Sequence, residues 1–172
     1  MRATDPIIDA LDRVQETVHA VLDGLDEEQL TARVDPEANS IAWLVWHLTR
    51  IQDDHLADAA RAPQVWTSDG WAERFALPFY DAATGYGHDS DDVAAVAASA
   101  ADLRGYHDAV HARSVPWLRT LSVDDLARVV DESWDPPVTL AVRLVSVVSD
   151  DLQHAGQAAF IRGVVERSAP TR

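Results

Sequence analysis

Asn39-Ser40-Ile41-Ala42-Trp43-Leu44-Val45-Trp46-His47-Leu48 is the stretch on which the fold turns. Asn39 and Ser40 have the short polar side chains that cap helix N-termini, and the run behind them is almost wholly apolar. One histidine interrupts it. An imidazole in such a run is either a satisfied core residue or a ligand, because a buried polar group without a partner is costly. A second apolar helix pattern, near the other end of the chain, carries Asp150-Asp151-Leu152-Gln153-His154. The two patterns are expected to face each other and to bring His47, Asp150 and His154 together.

The remaining chain supplies two further long helices. Asp5 to about Asp23 places Ile7, Leu11, Val14, Val18, Val21 and Leu22 on one stripe, with Pro6 suited to the first turn and Gly24 as a stop. The opening stretch gives a helix from Ser40 to Ala60, halted by Pro63. A third is expected from just after Ser90 to about Leu118, with Asp91 and Asp92 at its positive end. A fourth runs from about Thr139 to Glu166, and the tail from Ser168 to Arg172 is expected to fray. Residues 61 to 90 show no regular pattern, but they are rich in aromatics between Gly70, Pro78, Gly85 and Gly87. A connection this long and aromatic either covers a pocket or packs as an ordinary connection. Asp26 to Leu30 and Ser122 to Leu126 read as short capped turns, and 129 to 137 as an extended or irregular piece. The result is an all-α single domain: a four-helix bundle, with a long second connection that permits up-down-down-up order.

Composition narrows the function. The 172 residues carry a net charge of −15, which argues against nucleic acid and anionic membrane as partners. No run of 18 apolar residues would cross a membrane, no signal peptide opens the chain, and the expected location is cytoplasmic. Without cysteine there is no disulfide, thiolate metal site or cysteine nucleophile. No nucleophile-elbow pattern marks a serine hydrolase. Six tryptophans are compatible with an exposed pairing surface and a homodimer.

Asp150 and His154 are four residues apart, so on a helix they share one face at about 5–6 Å. With His47 from a neighbouring helix they form a two-imidazole, one-carboxylate set. Such a set suits zinc, or nickel or another first-row metal, and three ligands leave a position open for substrate. Asp151 is an alternative carboxylate, three residues before His154. His107 and His111 form a rival pair, also read as one pocket-facing and one surface histidine. His19, His55 and His88 are expected at the rim or surface.

The residues resemble the DinB-like superfamily, and more closely its mycothiol-dependent, actinobacterial branch. Ser40 to Leu48 is similar to the family's helix-two motif, Trp66 to Phe75 and Thr84 to His88 to its long connection, and His154-Ala155-Gly156-Gln157 to its closing H-x-G-Q. The absence of lysine fits a GC-rich genome. The resemblance covers about residues 5 to 165. It implies an up-down-down-up bundle with a metal held by three side chains. Many members carry H-x-x-x-H on the last helix; here Asp150 takes the earlier position, as a carboxylate does in the thiol-dependent isomerases of the family. The implied activity is a metal- and mycothiol-dependent transferase or isomerase acting on a small electrophile. His107, or else His55, would be the proton-transfer or second-sphere group, and Arg50 or Arg74 the binder of an anionic substrate. The alternatives are a non-catalytic, stress-related metal-binding bundle and a bundle whose metal site has degenerated.

Overall fold

The computed structural model describes residues 2–168; the expected fraying of residues 169–172 lies outside them. In chain order the elements are α1 (Asp5–Leu22), α2 (Glu27–Thr31), α3 (Ile41–Ala60), α4 (Val65–Ser68), α5 (Trp71–Phe75), α6 (Ser90–Ala95), α7 (Ala100–Leu118), α8 (Val123–Leu126), β1 (Val129–Asp131), β2 (Val138–Thr139) and α9 (Leu140–Ser168). The strands form one antiparallel hairpin, and the rest is helical or loop.

The four long helices, α1, α3, α7 and α9, pack in a ring: α1 lies against α7 and α9, and α3 against the same two. The hydroxyl of Thr4, before α1, donates to the Leu118 carbonyl at the end of α7, and Arg104 reaches the His19 carbonyl, so α1 and α7 run in opposite directions. His47 meets Asp150 while His55 meets Arg143, so α3 and α9 are opposed too. Leu11 shares a core cluster with Leu144, whereas Val18 and Val21 share one with Ala158 and Ile161, so α1 and α9 run alike.

Most helix starts follow their sequence signals. The Ser40 hydroxyl accepts from the Trp43 amide, and Asp26 and Ser122 build reciprocal capping boxes. Thr4 differs: its hydroxyl serves α7 instead of capping α1. Two expectations are corrected. The third helix is not continuous from Ser90. Asp89 caps α6, Val96 leaves helical geometry, and Ser99 caps a fresh start at α7 by accepting from Asp102. Residues 61–90, expected to be irregular, contain α4 and α5. The cap of α4 comes from outside it: the buried carboxylate of Asp53, on α3, accepts from the amides of Val65 and Trp66 at 2.9 and 2.7 Å.

The same stretch of α3 fastens the rest of the connection. Arg50 is fully buried and donates to the carbonyls of Ala83 and Asp81, to Gln64 and to the Tyr106 hydroxyl, while Trp66 lies across its guanidinium. Asp53 sits 3.7 Å away and also accepts from Tyr106 at 2.9 Å. Removing one member of a buried, hydrogen-bonded ion pair costs about 3–5 kcal/mol. Arg50 is therefore a structural clamp, with no free donor face for an anionic substrate.

His107 and Asp151 are fully buried, and no side-chain nitrogen or oxygen of either has a hydrogen-bond partner. Burial pushes the His107 imidazole from 6.5 down to about 3, so the ring is neutral in the folded chain. The unfolded chain binds the proton below pH 6.5, so His107 costs stability as pH falls from 6.5 toward 3. His107→Leu should remove that loss. In urea unfolding, wild type should lose about 2 kcal/mol relative to the variant between pH 7.5 and pH 5. Parallel curves for the two proteins would contradict the buried, neutral ring.

Candidate metal centre

His47 lies in the middle of α3 with 6% of its surface exposed. Its Nδ1 is 2.5 Å from the carbonyl of Thr84, in the 61–90 connection. A carbonyl only accepts, so Nδ1 carries the hydrogen and the lone pair of the neutral ring is on Nε2. That nitrogen points toward Asp150 on α9, with Oδ2 at 3.9 Å. Trp43, one turn earlier on α3, stacks on the ring at 4.5 Å between centroids and 13° between planes. Stack and hydrogen bond together fix the tautomer and the ring orientation, the device commonly found behind metal-binding histidines.

His154 is set in the same way by its own helix. Its Nδ1 donates to the Asp150 carbonyl at 2.9 Å and approaches the Asp150 carboxylate at 3.1 Å, which leaves Nε2 as the lone-pair nitrogen of the neutral ring. The two imidazoles meet edge-on, with centroids 4.6 Å apart. One ligand atom each from His47, Asp150 and His154 lie within 4.8 Å of one another, the only such group of three among the described residues. This donor set, two nitrogens and an oxygen converging from two helices, fits a divalent first-row metal.

The electrostatics split the two imidazoles. Burial lowers the pKa of His47, partly offset by the Thr84 hydrogen bond, and keeps it neutral. Burial acts the same way on His154, but the hydrogen bond and charge of Asp150 outweigh it and raise the pKa. A cation entering here competes with the proton for His154, so its hold weakens as pH falls.

The other sequence candidates lie elsewhere. Asp151 is fully buried and is not one of this group, and burial pushes its carboxyl well above the usual carboxylate range. The electrostatic neighbours of His107 are His111, Asp108 and His19, not the three residues of the centre. His111 bonds Asp12, and the two rings are 6.5 Å apart. His19, expected to be exposed, is half-buried against Asp108. His55 is held by Arg143, and Arg74 pairs with Asp102 over the Trp71 ring.

His88 is expected at the rim from the sequence, where Thr84 and Gly85 show no role. His88 sits between Trp46 and Phe79 and accepts from the Trp43 indole at 3.2 Å, behind the ring that stacks on His47. Gly85 has φ +96°, and a Cβ there would lie 2.6 Å from His47 Nδ1 and 3.0 Å from Trp43. The available signal was the Thr84-Gly85-Tyr86-Gly87-His88 motif itself.

A model of the mycothiol S-transferase family matches residues 7–167. The chain belongs to that family. Its fold is shared with the crystal structure of a conserved protein from Enterococcus faecalis, at 31% identity and a TM-score of 0.91, over 98% of this chain and 99% of that one. No curated protein matches the sequence.

Gly85→Ala should lower metal affinity roughly 10–100-fold by displacing the Thr84 carbonyl from His47. Gly87→Ala shares the positive φ but meets open space, and should leave affinity unchanged. Competition with a chelator measures both; equal losses would mean that loop strain, not the His47 contact, is responsible.

Proposed function

We propose that the chain is a divalent-metal-dependent mycothiol S-transferase, or an isomerase of the same type, acting on a small electrophile. We read the fold as a four-helix bundle in up-down-down-up order, with His47, Asp150 and His154 as the metal ligands. The observation that carries this is the convergence of their ligand atoms, in a chain whose family is defined by a thiol co-substrate. Zinc suits two imidazoles and a carboxylate best, with nickel or another first-row ion as alternatives. The expected location is cytoplasmic.

A metal at this site would supply a Lewis-acidic open position that lowers the pKa of a thiol and favours its thiolate. The chain's own residues do the rest. The Thr84 carbonyl holds the His47 proton on Nδ1, so that Nε2 faces the centre. The Asp150 carbonyl does the same for His154. Trp43, with His88 behind it, walls one side against water. In the overall transfer the sulfur bonds to the electrophilic atom, the leaving group departs with the bonding pair, and the thiol proton goes to solvent. His107 has a poor environment for accepting that proton, because burial keeps the ring neutral and it lies apart from the centre.

Protein purified without a histidine tag should hold one metal per chain by mass spectrometry and consume mycothiol with monochlorobimane as electrophile. His154→Ala and Asp150→Ala should lose both properties, and Asp151→Asn neither. Bound metal without turnover over a broad electrophile panel would favour the non-catalytic metal-binding reading. Absence of metal under replete conditions would favour a degenerate site.

A further inference from the structure

The inward face of α9 builds the core; its outward face is left to solvent among the described residues, with Val34, Ala38 and Asn39 bordering a groove beside Leu152, Gly156 and Phe160. Every exposed position from Val142 to Phe160 is uncharged. This is unusual in a chain of net charge −15: the exposed face of α1 carries Asp9, Asp12, Arg13 and Glu16. The α9 face also keeps large apolar groups in water, with Val142 53%, Val145 60% and Phe160 66% exposed. The tryptophans do not form the expected pairing surface, since Trp134 alone of the six is exposed.

The positions on this face repeat at 142, 145, 149, 152, 156 and 159. Steps of three and four are the spacing with which one helix packs along another. Gly156 is the independent sign. A glycine inside a helix costs about 1 kcal/mol relative to alanine. No close packing among the described residues requires it, because a Cβ there meets no atom within 4 Å.

We propose that this face of α9 is the docking surface for a second copy of the chain. Two copies at −15 repel each other, and a neutral apolar face is where that repulsion is weakest. A two-fold axis crossing the helix between residues 150 and 151 makes the seam self-complementary. It sets Val145 against Gly156, Leu152 against Ser149 and Val142 against Ala159, each a large residue against a small one. A parallel pairing would instead set Gly156 on Gly156 and leave a gap. The seam is about 25 Å long. Asp150 and His154 lie on the same helix beside it, but the proposal stands independently of what the metal centre does.

Sedimentation velocity on the full chain at micromolar concentrations tests this. Wild type should sediment at twice 18.9 kDa, more completely at higher salt, where charge repulsion is screened. Val145→Glu and Gly156→Leu should sediment as monomers with unchanged helical content, since neither side chain is packed in the single copy. Glu16→Gln, on the exposed face of α1, should remain dimeric. A wild type that is monomeric throughout, or a dimer that survives both α9 substitutions, overturns the proposal. Slow amide exchange on this face of a monomer only when mycothiol is added would assign the surface to a small molecule, and overturns it too.

Discussion

Arg50 has no exposed surface, and its guanidinium is directed at the connection it holds: the carbonyls of Asp81 and Ala83, then Gln64 and Tyr106. Charge that deep survives only with good hydrogen-bond partners. Asp53, one turn later, answers it and also caps α4, so two adjacent turns of α3 fix both ends of the segment that passes over the helix. The next carbonyl in that segment, Thr84, sets the tautomer of His47, one turn before Arg50. Fold and site therefore depend on the same constraint: polar groups buried along α3 need partners, and the connection provides them.

This explains why some features were legible in the sequence and others were not. The long helices follow from local signals, such as the Ser40 cap, the apolar stripes and Pro6, which act within a few residues. So does the sharing of a face by Asp150 and His154. The break before Ala100 was missed because Ser99 caps a new start within a stretch whose apolar spacing runs on unbroken. The short helix α4 was missed because its cap is Asp53, twelve residues away on another helix. Arg50 and His107 carried chemistry on paper. Which buried polar side chain finds a partner is a matter of packing: Arg50 finds several and His107 none.

Asp150 stands four residues before His154, where an H-x-x-x-H pair would place a histidine. In this chain it does two things that a histidine there would not. Its carboxylate lies between the two imidazoles, and its charge raises the proton affinity of His154 while His47 stays neutral. An anionic ligand would also leave a divalent ion here with less net charge than an all-histidine set. The same helix carries the strongest contrast on the surface: a charged, polar centre faces inward, and a neutral apolar strip faces outward.

We propose that His47, Asp150 and His154 hold a metal with room for a thiol sulfur. Absorption spectroscopy of the cobalt(II)-substituted protein tests it most directly. Visible bands of a low-coordinate nitrogen and oxygen site are expected, with a new near-ultraviolet sulfur-to-cobalt band when mycothiol is added. A spectrum that mycothiol leaves unchanged, or cobalt that stays as the free aquo ion, would contradict it.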